Sequence, residues 1–543
     1  MKGAIKFFKV DEGYGFIISN DKEHFFHRNS LSYGIEEDIS SGTWVSFEIT
    51  DGKKGPEASN ITLFDPDEYN PTAILESISE WKLDAKHDEM NRYFYHVDQG
   101  KDIEAGKKTF VIGRKGSGKT ALSEHISLQR DPKVFTQKLT FKNFPFNNLY
   151  SLENKDYTRP NQYISLWKYL IYSSICKMMI TNEAIDIEVR SVLSELFGTE
   201  MPLKNLKRSI KKWTAKEFSL KLMGAGGKIG IEKSEQSWIE RLDILEEIIE
   251  EYIDDSQYFV VFDELDEDYK NIVELGQQTD YISLVTSLFK AVQDVRSIFS
   301  DASAKLRPVV FLRDDIYDLI LDPDKNKWED FRVDLEWNVD RIKKLLAFRI
   351  SKAIGQDQEL LGFDEAWDII FSDIPVRMGA RSKKRMPIFE YITRSTHLRP
   401  RDYVRYLQVS AKDTIEDRGD TISPETVKRV DKGFSNYLRN ELVDEIHGIL
   451  PDIQEIFGII SEIRKWAFTI DEFKEIYSDR LEKGILTTKD SDFALKILFH
   501  FSVIGNQPRN GLEFFRYKNK EARFNFKENI VVHRGLFKSL QII

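Results

Sequence analysis

The residues best suited to chemistry fall into two short groups. In the first, Gly113, Gly118, Lys119 and Thr120 fit the spacing G-x-x-x-x-G-K-[ST]. Glycines at these places let the main-chain N–H groups of Gly113, Arg114, Lys115, Gly116, Ser117 and Gly118 wrap a phosphate. Lys119 adds a point charge between the β- and γ-phosphates, and Thr120 offers a hydroxyl to Mg²⁺ at the positive end of the next helix. The second group, Asp263-Glu264, ends the apolar run Tyr258–Phe262. Asp263 suits Mg²⁺ held through water, and Glu264 suits a general base that polarises the attacking water. Together they imply hydrolysis of a nucleoside triphosphate, and the built-in base favours ATP over the chemistry of GTPases, which position water differently.

Such groups act together only if a sheet positions them. Strands are expected at Thr109–Ile112, Val134–Phe141, Tyr258–Phe262 and Val309–Leu312, with an amphipathic helix through Ala121, Leu122 and Ile126 after the glycine-rich loop. The third of these is apolar throughout, as a parallel strand buried on both faces reads. Arg313 follows the last strand, where open α/β sheets place ligand groups, and is a candidate sensor of the γ-phosphate; an ion pair with Asp314 or Asp315 is the alternative. Asp266 is either part of the metal network or a surface acid. The long interval before Tyr258 implies a helical insertion near 142–257, including Tyr163–Ile180 and Asp186–Leu196, a basic stretch at 204–213 with Trp213, and a glycine-rich hairpin at 222–231. Cys176 lies in an apolar helical run and reads as a buried structural thiol. Helical periodicity is expected at 72–100 and again over Val333–Ile354, where Arg341 and Arg349 are candidate fingers toward another subunit's nucleotide. Asn326-Lys327-Trp328-Glu329 ends in Glu where the guanine-reading N-K-x-D needs Asp, so it carries no assignment.

With 543 residues the chain is expected to hold three or four domains. No uninterrupted apolar stretch approaches membrane-spanning length, and the N-terminus lacks a signal-peptide core. With one cysteine there is no internal disulfide, which suits a reducing cytoplasm. The formal net charge of −11 gives no global attraction to nucleic acid, so any such binding needs a local surface.

One such surface is offered by residues 1–65. Ala4–Phe8, Tyr14–Ile18, His24–His27, Trp44–Ile49 and Ala58–Leu63 read as five short strands of a small barrel. Phe7, Tyr14, Phe16, Phe25 and His27 alternate so as to make a platform for base stacking, and Lys2, Lys6 and Arg28 are placed to meet phosphates. The pieces Lys2–Phe8, Gly13–Ile17, Phe25-Phe26-His27 and Gly55–Ile61 resemble a cold-shock domain, an OB-fold binder of single strands. Phe7 stands where that family usually has tryptophan, and Arg28 where a further aromatic is common. The alternative is a barrel whose aromatics merely fill space.

Asp65–Pro71 has linker composition. Beyond residue 350, the run Arg377, Arg381, Lys383, Lys384 and Arg385 reads as an exposed basic loop. Thr396–Asp402 leads into a helix begun by Pro400, with Arg399 and Arg401 in its first turn. Helices at Phe468–Leu481 and Asp490–Phe501, then a hairpin pairing Glu513–Tyr517 with Arg523–Phe526, give the order of a winged helix. The helix that would enter a major groove, Asp490–Phe501, is mostly apolar, so the part suits packing or a partner. Residues 109–120 look like a Walker A motif, and 258–264 a Walker B motif. With Arg313 and Arg401 as sensor arginines, and Arg399 the alternative to Arg401, the composite resembles bacterial STAND/AAA+-like P-loop ATPases of anti-phage systems.

The expected fold is therefore multidomain: an OB barrel over 1–65, an α/β P-loop core of ASCE type over 66–350, a helical lid over 351–445 and a winged-helix-like part over 446–543. The resemblance implies an Mg·ATP hydrolase coupled to single-stranded RNA or DNA, serving antiviral sensing. A nucleotide-gated scaffold recruiting an effector protein is the alternative, and homo-oligomerisation is a further expectation.

Overall fold

The computed structural model describes residues 2–19, 22–52, 55–63, 69–95, 98–141, 159–197, 238–266, 278–300, 305–356, 358–378 and 384–542. The basic stretch at 204–213, the glycine-rich 222–231 and the tip of the 377–385 loop lie outside them.

Five strands, β1 (Lys2–Lys9), β2 (Tyr14–Ser19), β3 (Lys22–His27), β4 (Trp44–Gly52) and β5 (Gly55–Leu63), close into a barrel in the order β1-β2-β3-β5-β4. Alternation decides which side chains enter it: Ile5, Ile17, Phe26, Val45, Phe47, Ala58 and Ile61 are buried, while their neighbours along each strand face outward. Gly15 admits no side chain, because a Cβ there would stand 2.5 Å from both the Phe26 ring and the Phe7 carbonyl.

A second sheet is wholly parallel, with β6 (Phe110–Gly113), β7 (Val134–Thr140), β8 (Gln257–Asp263), β9 (Leu306–Arg313) and β10 (Arg332–Asp334) in the order β10-β6-β9-β8-β7. Strand β9 thus separates the strand that precedes the glycine loop from the strand that ends in acids, as an ASCE-type core requires. Successive residues serve opposite faces. Tyr258, Val260 and Phe262 pack with helices Arg159–Thr181 and Gln278–Ile298, whereas Phe259 and Val261 pack with Leu122 and Ile126 of helix Lys119–Ser127. Burying each such side chain contributes about 1.5–3 kcal/mol. Cys176 is fully buried on the first of these faces, and burial pushes its thiol pKa up.

A further set of helices shares one continuous core. Helix Pro71–Ser79 supplies Ile74, Leu75 and Ile78 to it, Val339–Ile354 supplies Ile342, Leu346 and Ile350, and Pro400–Glu416 supplies Tyr403 and Leu407. The same core continues through Leu442 of Pro424–Ile446 and Ile456 of Ile453–Ile463 to Val532 and Leu540. Asn70, Asn338 and Ser423 cap three of these helices with side-chain oxygens.

Three expected elements differ. The periodic stretch at 72–100 is broken into Pro71–Ser79, a single turn at Met90–Tyr93 and Asp98–Glu104. Between the first two, the Asp84 carboxylate accepts from the Lys86 N–H at 3.0 Å, a local bond that competes with the helix. Val333 belongs to β10, paired with the edge of β6, and the helix begins only at Val339. At the C-terminal end, Ile504–Gln507 pairs with Asn529–Val532, with Ala467–Phe468 on its other side. The expected partners lie in the long connection, where Phe514 makes one bridge to Asn506. The Asn506 side chain holds the N–H and carbonyl of Asn525, each at 2.9 Å, and so pins that connection without a ladder. Among the described residues no helix is long and apolar enough to cross a membrane.

Candidate functional site

The glycine-rich loop leaves β6 at Gly113 and enters helix Lys119–Ser127, with Gly116 at φ +80° and Gly118 at φ +100°, backbone that side-chain-bearing residues rarely adopt. Lys119 folds back on the loop, donating from Nζ to the carbonyls of Gly113 (2.8 Å) and Arg114 (3.1 Å). Burial lowers its pKa. Trp337 braces the loop through its indole N–H on the Ser117 carbonyl at 2.8 Å, and the buried Ser117 hydroxyl has no hydrogen-bond partner.

Across the sheet, the carboxyl end of β8 delivers two acids. Asp263 is 2% exposed; its Oδ2 accepts from the Ser123 hydroxyl and lies 2.9 Å from the Lys138 ammonium, and its Oδ1 accepts the Glu264 N–H. Glu264 adopts φ +58°, an uncommon conformation for a residue with a side chain, which turns it off the strand direction. One of its oxygens is paired with Lys86, and the other is buried without a partner. Burial opposes the Lys86 charge, yet the Glu264 carboxylate raises its pKa above the ordinary lysine value. The loop residues Lys115–Thr120, both acids, Asp266, Lys86 and Arg401 line one cavity of about 520 Å³.

The arginines divide between the two sides of the loop. Arg313, at the end of β9, grips Asp315 with two hydrogen bonds (2.9 and 2.6 Å) and lies 3.8 Å from Asp266. Arg399 is 2% exposed, pairs with Asp402 and Glu445, and donates to the Lys115 carbonyl at 3.3 Å. Arg401 reaches the cavity itself, and Glu441 ties it to the loop by pairing with both Arg401 (3.3 Å) and Lys115 (3.4 Å). Arg114 points away from the cavity toward His397 Nδ1 at 3.3 Å, on the side lined by Arg313 and Arg399. The finger expectation for Arg349 is corrected: its side chain is buried against Asp88 at 2.9 Å and stacks on the Trp81 and Tyr93 rings, so it reaches no other subunit. Arg341 donates to the Glu336 carbonyl.

Sequence reasoning missed Lys86, Ser123, Lys138 and Trp337. For Ser123 and Lys138 a signal existed. Ser123 is one turn beyond Lys119 on the same helix, and Lys138 is a charge inside an otherwise half-buried strand. Lys86 lies in an irregular segment with no motif.

On the barrel, cross-strand register brings Phe7, Phe16 and Phe25 into one row, with ring centroids 5.6 Å apart at each step. Tyr14 and His27 form the next row, and Tyr14 stacks on Phe25 at 5.9 Å. The four aromatic rings are half-buried and His27 is exposed, so the row is a surface and not the barrel's filling, which Phe26 and Phe47 supply. The cations at its edge are engaged: Lys6 pairs with Glu23 at 2.6 Å and Arg28 with Glu36 at 2.7 Å.

Two family models match the chain: the "'Cold-shock' DNA-binding domain" over residues 1–64, and the "FunZ-associated C-terminal helical domain" over residues 340–443. Cold shock-like protein CspE of Escherichia coli is 38% identical over 63 residues, which is 11% of this chain and 91% of that protein. A putative transposon gamma-delta 80.3 kDa protein of Escherichia coli is 26% identical over 476 residues; the match takes in 79% of this chain and spans 62% of that protein's length. Among solved structures, Cdc6p from Pyrobaculum aerophilum aligns with 82% of this chain and 91% of its own at 13% identity and a TM-score of 0.27. The ORC2 protein of Aeropyrum pernix aligns with 81% and 88% at 10% identity and a TM-score of 0.36. Through the barrel of residues 1–64, with its row of aromatic rings, the chain belongs to the cold-shock domain family.

Proposed function

We propose that the chain hydrolyses ATP with Mg²⁺ and couples its nucleotide state to single-stranded RNA or DNA held on the barrel. The observation that carries this reading is the meeting of the glycine-rich loop and the Asp263-Glu264 pair in one cavity. The residues fit a triphosphate and its metal. The Lys119 ammonium, half-buried, donates to two loop carbonyls, Ser117 offers an unpartnered hydroxyl, and Asp263 already draws a cation to 2.9 Å. Thr120 and Asp263 would hold Mg²⁺, which supplies neutralisation of the phosphate charge. The loop amides and Lys119 bind and orient the phosphates, and Glu264 takes the proton of the water it aligns. Arg401 in the cavity and Arg313 at the strand end are the groups that report loss of the γ-phosphate, and Arg399 positions the loop through Lys115.

Phe7, Tyr14, Phe16, Phe25 and His27 stack the bases, with Lys6 and Arg28 at the phosphates once their acidic partners yield. The setting that the STAND resemblance implies, bacterial sensing of phages in the cytoplasm, belongs to the same proposal. The name of the Escherichia coli relative ties that protein to a transposon. Phosphate release with and without single-stranded RNA or DNA tests the reading. Glu264→Gln is expected to lower release by about 100-fold or more while ATP affinity holds, and release untouched by that change would end it. One observation favours the second reading, a nucleotide-gated scaffold for an effector: Glu264 is engaged by Lys86 instead of being offered to water. Tight ATP binding with release unmoved by any single strand selects that reading.

A further inference from the structure

The segment from Trp81 to Tyr95 joins helix Pro71–Ser79 to the nucleotide-binding half and runs along the cavity wall. It is fastened to the helices of the lid. The Trp81 carbonyl accepts from Gln408 at 2.8 Å, and Asp88 pairs with Arg349 at 2.9 Å, each side chain 8% exposed. Arg92 donates to the carbonyls of Lys352 and Ala353 at 2.7 and 3.3 Å. At its other end Phe94 stacks on His125 of the helix that follows the glycine loop, ring centroids 4.1 Å apart. Between these anchors, the turn made by Asp84 aims Lys86 into the cavity, where it meets Glu264.

This contact holds the Glu264 carboxylate away from an attacking water molecule. One oxygen is held by the ammonium, and the other is buried without a hydrogen-bond partner. Resting on the reading of Glu264 as the base, we propose that Lys86 is a positioning residue that restrains Glu264 and ties its release to movement of the lid, through the anchors at Gln408, Arg349, Lys352 and Ala353. Lid displacement draws the segment with it, removes Lys86 from the carboxylate and frees the base.

The test compares the full-length protein with Lys86→Met and Lys86→Arg. The Lys86 side chain is 32% exposed, so both variants are expected to fold. Lys86→Met is expected to raise kcat about tenfold, the effect of releasing one ion pair of roughly 1.4 kcal/mol, with KM and ATP affinity unchanged. In the nucleotide-free protein, the amides of 82–89 should exchange hydrogen faster. Lys86→Arg keeps the pair and should stay near wild type in both readouts. A kcat that is unchanged or lower in Lys86→Met overturns the restraint while leaving the base in place. Turnover that survives Glu264→Gln, alone or in the Lys86→Met background, overturns the base assignment and the restraint together.

Discussion

Two histidines where the lid meets the C-terminal part are held neutral by their surroundings. His533 is buried, its ring 4.4 Å from His397 and 5.2 Å from Tyr517, and burial, with Lys518 and Arg114 nearby, pulls its pKa down to about 3. His397 is likewise lowered, by burial first and then by His533 and Arg114. A folded-state value below the unfolded value of about 6.5 means that the unfolded chain binds more protons below that pH. The stability these groups contribute is then full above pH about 6.5 and falls by up to about 1.4 kcal/mol per unit per histidine as pH drops toward the folded value. His533→Asn keeps an acceptor for the Gly535 N–H, which His533 Nδ1 serves at 3.2 Å, but cannot titrate. Its melting temperature is expected to fall less between pH 7 and pH 5 than that of the wild type, and an equal fall would exclude His533 as the source. Neither histidine was legible in the sequence, where each is an isolated His. Gly113–Thr120 and Asp263-Glu264 were legible because their spacing alone fixes main-chain geometry. Lys86 was not, since its partner lies 178 positions away.

Among elements, those whose pattern is local were the ones readable in advance. The five barrel strands alternate apolar and polar residues, and β8 and β9 are apolar runs that only a sheet covered on both faces accommodates. Val333 and Asp334 of β10 were read as helix because that short strand has no pattern of its own and forms only by pairing with β6. The C-terminal hairpin was misplaced for the same reason: Ile504–Gln507 and Asn529–Val532 are separated by more than twenty residues, and no short turn announces them. The row Phe7, Phe16 and Phe25 spans three adjacent strands, which makes it a property of the barrel as an element. Phe16→Ala with Phe25→Ala is expected to weaken single-strand binding by about 1–3 kcal/mol per lost ring while ATP affinity is unchanged. Equal binding of a fluorescent oligonucleotide by the double variant would remove the platform from the interface.

At the scale of the molecule, the barrel has a core of its own, the parallel sheet is coated by two more, and the helices from Pro71 to the C-terminal sheet are welded into a fourth. The third of Arg399's ties, to the Lys115 carbonyl, and the Glu441 bridge are where that helical mass touches the glycine-rich loop. The largest of the sheet's coats carries Cys176, the chain's only sulfhydryl, with no surface exposed. A thiol so placed is a clock with a single hand. In the native protein a maleimide or disulfide reagent should find it only when helix Arg159–Thr181 lifts from the sheet, so the modification rate counts those openings one molecule at a time. If ATP binds as proposed, rates that slow as it is added would report tightening of that layer, read without altering a single residue.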